Sequence, residues 1–196
     1  MDTLVGKHAP IFEAKAAIGN KIVEGFSLKH YRGKYVVFFF YPLDFTFVCP
    51  TELHAFNEAL EEFEKRNAQL IACSVDSAHT HLAWLNTPKS RGGIAGIDYP
   101  IVSDITKKIS EDYGVLIREE GIALRGLFLI DKEGVIRHQV VNDLPLGRSV
   151  NDVLRMIDAL QHFEKNGEVC PANWAVGKKS LKPNREGIEE FYTITH

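Results

Sequence analysis

The chain has 196 residues, of which 45% are hydrophobic and 25% are charged, so it is long enough for one domain with a substantial core. Its formal net charge of −3 gives no electrostatic reason to expect nucleic acid or an anionic membrane as a partner. Three cysteines are too few for a disulfide framework, and in a reducing compartment an odd count indicates reactive or merely buried thiols.

The first two thirds of the chain alternate between strand and helix patterns. Residues 1–30 predict an irregular entry or a hairpin, because turn signals occur at Gly19-Asn20 and Gly25. Further along, strands are predicted at residues 34–41 and 69–75, and helices at 50–66, 77–85 and 104–113. The last two helices begin after candidate capping residues, Ser77 and Asp104.

The remaining third ends in a hairpin, a helix and a tail. Strands are predicted at 125–130 and 135–141, joined by a four-residue turn, and a helix follows from Val150 to about Phe163. From Asn166 onward the periodicity ends, which predicts an extended arm. The order of elements predicts an α/β domain over residues 1–165, with a mixed sheet, and an arm over 166–196.

Cys49 is the residue with the clearest chemistry. It follows the buried strand pattern Tyr35–Phe40 and immediately precedes Pro50, which suits the first position of a helix. Unpaired backbone N–H groups and the dipole at a helix start favour an anion, so the position favours a thiolate. The alternative is a buried, inert cysteine.

Three separated motifs resemble those of one enzyme family. Pro42-x-x-x-Thr46-x-x-Cys49 is similar to the P-x-x-x-T-x-x-C motif of peroxiredoxins, and the longer stretch 44–52 looks like their typical two-cysteine subgroup, which includes the bacterial alkyl hydroperoxide reductase peroxidase subunit. Leu124–Asp131 resembles the strand that carries the family's active-site arginine, and Gly167–Ala172 resembles its resolving-cysteine segment. The resemblance runs from about Val5 to Trp174. It implies a thioredoxin-like fold, with a central mixed β-sheet flanked by helices.

The resemblance also implies roles around the thiol. Cys49 would attack the peroxide and become a sulfenic acid. Arg125 would supply fixed positive charge, although a structural ion pair is the alternative. The Thr46 hydroxyl can donate and accept hydrogen bonds at the peroxide, or serve only a turn. Pro42 would shape the loop and keep the pocket dry, a role that overlaps with that of an ordinary turn proline.

Residues farther away complete the expected site. Glu52 and Arg148 are expected to support Arg125 from behind. Cys170 would attack the sulfenic acid, and the family implies that it comes from the partner subunit of a homodimer. Cys73 lies inside a strand pattern, where packing is its expected role.

The expected function is thiol-dependent reduction of hydrogen peroxide and alkyl hydroperoxides, without metal, haem or flavin. The reductant would be thioredoxin or a dedicated flavoprotein reductase, and the homodimers would assemble into a ring, a decamer. A disulfide oxidoreductase is disfavoured because C-x-x-C is absent, while a holdase chaperone or redox-signalling module stays open. No signal peptide and no membrane-length apolar run are visible, so a cytoplasmic location is expected.

Overall fold

A seven-stranded mixed sheet organises the first of two units in this computed structural model, which describes residues 3–193. Its strands are β1 (Ala14–Ile18), β2 (Lys21–Phe26), β3 (Tyr35–Phe40), β4 (Ala68–Ser74), β5 (Ile101–Ser103), β8 (Arg125–Ile130) and β9 (Ile136–Asn142). The short strands β6 (Leu116–Ile117) and β7 (Ile122–Ala123) pair separately. The spatial order is β2-β1-β5-β4-β3-β8-β9, in which β3, β4 and β5 are parallel and every other pairing is antiparallel.

Six α-helices occur among the described residues. They are α1 (Cys49–Glu58), α2 (Leu60–Lys65), α3 (Ala78–Leu85), α4 (Lys108–Asp112), α5 (Val150–Asn166) and α6 (Arg185–Thr193). None of the helices within residues 3–193 is long and apolar enough to cross a membrane.

Strand β3 is buried along its whole length and contributes apolar side chains to both faces of the sheet. Phe38 and Phe40 point to one face, where both rings meet that of Tyr113 at an angle, with centroids 5.0 and 5.3 Å away. Phe39 points to the other face and stacks on Phe56 of α1 at 4.5 Å. This second face therefore fixes the helix that begins at Cys49.

The predicted helix over 50–66 is wrong in one respect, because the chain forms two helices there. The ladder breaks at Ala59, whose backbone (φ −98°, ψ 8°) has left the helical region. Its N–H bonds to the Phe56 carbonyl, three residues back instead of four. Phe56 and Phe63 on either side of the break both stay fully buried, so the predicted apolar face survives the interruption.

The second unit, Asn151–His196, contains most of α5 and a tail that is not wholly extended. Val169 and Leu181 form an isolated antiparallel bridge. Helix α6, missed by the sequence prediction, then starts where the Asn184 side chain accepts a hydrogen bond from the Gly187 N–H at 2.8 Å. The predicted division between residues 165 and 166 stays a prediction.

Candidate active site

Cys49 lies at the first residue of α1, directly after the loop 42–48 that leaves β3. Its side chain is 0% exposed. Pro50 follows within the first turn, and the residue before the helix, Val48, has no polar side chain to cap the free N–H groups. The thiol is thus held at the electropositive end of a helix and out of bulk water.

Arg125, the first residue of β8, brings a guanidinium to the thiol. Its Nη1 donates to the Cys49 Sγ at 3.4 Å and to the Glu52 carboxylate at 2.8 Å. Its Nε donates to the backbone carbonyl of Leu144 at 2.7 Å. Three acceptors therefore fix a buried arginine, which leaves it little freedom to move away from the sulfur.

Glu52 and Arg148 form the support behind this arginine. One Glu52 oxygen accepts from the Arg148 N–H at 2.9 Å and Nε at 2.8 Å, and the other accepts from its Nη2 at 2.9 Å. Arg148 Nη1 also donates to the carbonyls of Phe40 and Gly126 at 2.9 and 2.7 Å. Two buried guanidiniums against one carboxylate leave one positive charge in excess, next to the Cys49 sulfur.

Pro42 and Thr46 lie on the loop between β3 and Cys49. Pro42 is buried and Thr46 is half-buried. The Thr46 hydroxyl donates to the Leu43 carbonyl at 2.9 Å, so its proton is engaged within the loop while its oxygen lone pairs remain to accept from a ligand.

The other two cysteines differ from Cys49. Cys73 is buried inside β4, where burial and, to a smaller extent, the Asp104 carboxylate hold the pKa of its thiol well above the usual range. Cys170 belongs to the second unit and is partly exposed. Its Sγ lies 3.5 Å from the Ala159 carbonyl, and partial burial raises the pKa of its thiol.

Sequence reasoning missed a buried polar network behind the loop. Tyr41 donates its hydroxyl proton to one Asp44 oxygen at 2.7 Å, and His81 Nδ1 lies 2.7 Å from the other. Asp44 stands inside the stretch 44–52 quoted above, but nothing in the spacing connects it with His81 on α3. Across residues 3–193, no three His, Cys, Asp or Glu side chains are grouped so as to hold a metal ion.

Comparison of the chain with known proteins shows the family to which it belongs. Residues 5–139 match the model of the AhpC/TSA family, and residues 159–193 match that of the C-terminal domain of 1-Cys peroxiredoxin. The chain is 53% identical to a thioredoxin peroxidase of Echinococcus granulosus, over 97% of this chain and 98% of that protein. It belongs to the peroxiredoxins.

Further relatives narrow the subgroup and confirm the fold. This peroxiredoxin is 53% identical to a chloroplastic 2-Cys peroxiredoxin of Hordeum vulgare, over 96% of this chain and 90% of the relative. It is 52% identical to the reduced 2-Cys peroxiredoxin of Plasmodium vivax, whose crystal structure superposes with a TM-score of 0.95 over 98% of this chain and 100% of that one. The thioredoxin-like fold and the two-cysteine subgroup predicted from the motifs are confirmed. As a peroxiredoxin, the protein is a thiol-dependent peroxidase.

Proposed function

We propose that Cys49 is the nucleophile that reduces the peroxide, with hydrogen peroxide and alkyl hydroperoxides as substrates. The thiolate sulfur attacks one oxygen, the O–O bond breaks, and the electron pair leaves with the second oxygen, which takes up a proton as water or an alcohol. Sulfur is oxidised to a sulfenic acid and the peroxide is reduced. The observation that carries this proposal is the 3.4 Å contact between Arg125 Nη1 and Cys49 Sγ in a buried cluster with one positive charge in excess.

The surrounding residues have separate tasks in this proposal. Arg125 stabilises negative charge on the sulfur before attack and on the leaving oxygen during it, because its guanidinium is already fixed by Glu52 and Leu144. Thr46 accepts a hydrogen bond from the peroxide O–H, since its own proton goes to Leu43. Pro42 keeps the loop dry, because it is buried and has no N–H donor. Arg148 holds Glu52, and through it Arg125.

Cys170 is the proposed resolving residue. The Cys170 thiolate of a second copy attacks the Cys49 sulfenic acid, an S–S bond forms, the S–O bond breaks, and the leaving hydroxide takes up a proton to become water. Cys170 is supported in this role by its partial exposure, whereas Cys73 is buried within the sheet. Since the Cys49 side chain is fully buried, its sulfur has to become exposed before this bond can form.

Reduction of that disulfide returns the enzyme to its starting state. We propose thioredoxin as the dithiol donor, which is supported by the name of the Echinococcus granulosus relative. A dedicated flavoprotein reductase is the alternative donor. We further propose that the protein forms homodimers, which assemble into a decameric ring. The proposed location is the cytoplasm, whereas the Hordeum vulgare relative is chloroplastic.

The experiment is peroxide consumption coupled to thioredoxin and its reductase, with Cys49→Ser compared against Cys73→Ser. A serine hydroxyl is not ionised near neutral pH, so Cys49→Ser should lose all peroxidase activity. Cys73→Ser changes a buried thiol of the same chain and should keep it. Retained turnover in Cys49→Ser would refute the assignment of the nucleophile.

A further inference from the structure

We infer that Asp44 and His81, together with Tyr41, are positioning residues of the peroxidase reaction that hold the loop 42–48 and its nucleophile in the reactive arrangement. This inference rests on the proposed role of Cys49. The two side chains come from different elements, the loop itself and α3, and both are buried. Their contact therefore ties the loop to helix α3.

The loop is tied at Asp44 by three separate bonds. The Asp44 Oδ1 accepts from the Tyr41 hydroxyl at 2.7 Å, and its Oδ2 lies 2.7 Å from His81 Nδ1. Its backbone N–H donates to the Asp76 carboxylate at 2.9 Å. Asp44 lies midway between Pro42 and Thr46, so these bonds set the position of both.

The hydrogen-bond partners of His81 fix the number of protons in this pair. His81 Nε2 lies 3.2 Å from the Val102 carbonyl, which can only accept, so Nε2 carries a hydrogen. The 2.7 Å contact between Nδ1 and Asp44 then contains one further proton, whichever atom it resides on. The pair is neutral overall, which suits its burial. Burial raises the pKa of the Asp44 carboxyl, and the interaction with His81 lowers it in part.

The backbone next to Asp44 needs such a restraint. Phe45 is a non-glycine residue in the left-handed region, with φ 55°. A conformation of this kind persists only where the surroundings enforce it. The Phe45 ring lies against Trp84 of α3, with centroids 5.7 Å apart. Helix α3 therefore holds the loop twice, through His81 at Asp44 and through Trp84 at Phe45.

The first test measures two properties of Cys49 in His81→Ala. Removing the ring frees the loop, so the second-order rate of Cys49 oxidation by hydrogen peroxide should fall by about tenfold to a hundredfold, the effect of a displaced reactive group. Labelling of native Cys49 by iodoacetamide should rise, because the buried sulfur becomes accessible. His79→Ala, two residues away on the same helix and exposed, is the matched control and should change neither rate.

Cys73 separates local release from general unfolding. It is fully buried in β4, so peptide mass spectrometry of the alkylated protein should show label on Cys49 and none on Cys73 in His81→Ala. If Cys73 is labelled in parallel, the sheet itself has loosened, and the test of the inference passes to the milder variant Tyr41→Phe. That change removes one hydroxyl group from Asp44, and an unchanged peroxide rate in it would overturn the inference.

A conservative pair tests the proton count. Asp44→Ala should lose peroxide reactivity as His81→Ala does, whereas Asp44→Asn should restore most of it, because an amide can accept from Tyr41 and donate to Nδ1. An equal loss in both Asp44 variants would contradict the shared-proton arrangement. One outcome would refute this inference alone and leave the proposed function intact. In that outcome the wild type reduces peroxide through Cys49, and all of these variants do so at the same rate.

Discussion

Glu52→Gln is the sharpest single perturbation of the buried charge cluster. The carboxylate accepts four hydrogen bonds, one from Arg125 and three from Arg148, at 2.8–2.9 Å. Glutamine removes the negative charge and turns an NH₂ group toward a guanidinium. The two buried cations then lose the carboxylate that they share, and breaking a buried ion pair in this way costs roughly 3–5 kcal/mol.

The expected consequence is measurable in thermal unfolding of the reduced protein. For a chain of this size each kcal/mol lowers the midpoint by roughly 2–4 °C, so Glu52→Gln should lower Tm by roughly 6–20 °C. Glu62→Gln is the matched control. It also loses a carboxylate paired with an arginine at 2.9 Å, but on an exposed surface, and should melt with the wild type.

The same variant should react more slowly with peroxide. Arg125 keeps only its bonds to Leu144 and to the sulfur, and a displacement of about 1 Å at such a group costs on the order of 10² in rate. Rapid-quench mass spectrometry of Cys49 oxidation gives this rate below the melting range. A Glu52→Gln protein that melts within a degree or two of Glu62→Gln would refute the claim that the carboxylate holds the two arginines together.

Three further predictions concern the other charged and thiol groups. Arg125→Met should keep its fold but slow Cys49 oxidation by about 10²–10³ in the same quench assay; an unchanged rate would make Arg125 purely structural. Cys170→Ser should oxidise once at Cys49 and then accumulate sulfinic acid, and on a non-reducing gel only the wild type should form a disulfide-linked dimer; a monomeric internal disulfide in the wild type would contradict the intersubunit pairing. Because the pKa of Cys73 is raised, its thiol stays protonated in the native state, whereas the same thiol in the unfolded chain ionises near pH 9.0. The free energy of unfolding should therefore fall as the pH rises above 9.0, by about 1.4 kcal/mol per pH unit from this thiol. Urea titrations between pH 8 and 10 should show a shallower decline in Cys73→Ala, and equal slopes would refute the assignment.

Much of the sheet was predictable because its signals are local. The aromatic run 35–40 and the apolar run after Gln69 each form a buried parallel strand, and burial on both faces is what makes such runs continuous. Helix α6 was missed because its nine residues carry few apolar side chains, so the capping residue Asn184 was its main signal. The break at Ala59 was missed because the buried positions on either side keep one helical period.

The candidate site was predictable only where a motif contains it. Cys49, Arg125, Glu52 and Arg148 stand in recognisable segments, and the structure brings all four together. The contact between Asp44 and His81 joins positions 37 residues apart and has no periodic signature. Contacts of this kind depend on the parallel order of β3, β4 and β5, which places the carboxyl ends of all three strands at one edge of the sheet.

The two tryptophans of the chain give each unit its own fluorophore. Trp84 is fully buried, donates to the Gly92 carbonyl, and lies beside Tyr41 and Phe45. Trp174 is also buried, but its ring lies 4.8 Å from that of His162 in the second unit. The tryptophan fluorescence of a Trp174→Phe variant therefore reports on the surroundings of Trp84 alone, and that of a Trp84→Phe variant reports on the surroundings of Trp174. Comparing the two emission traces shows which unit responds first to oxidation.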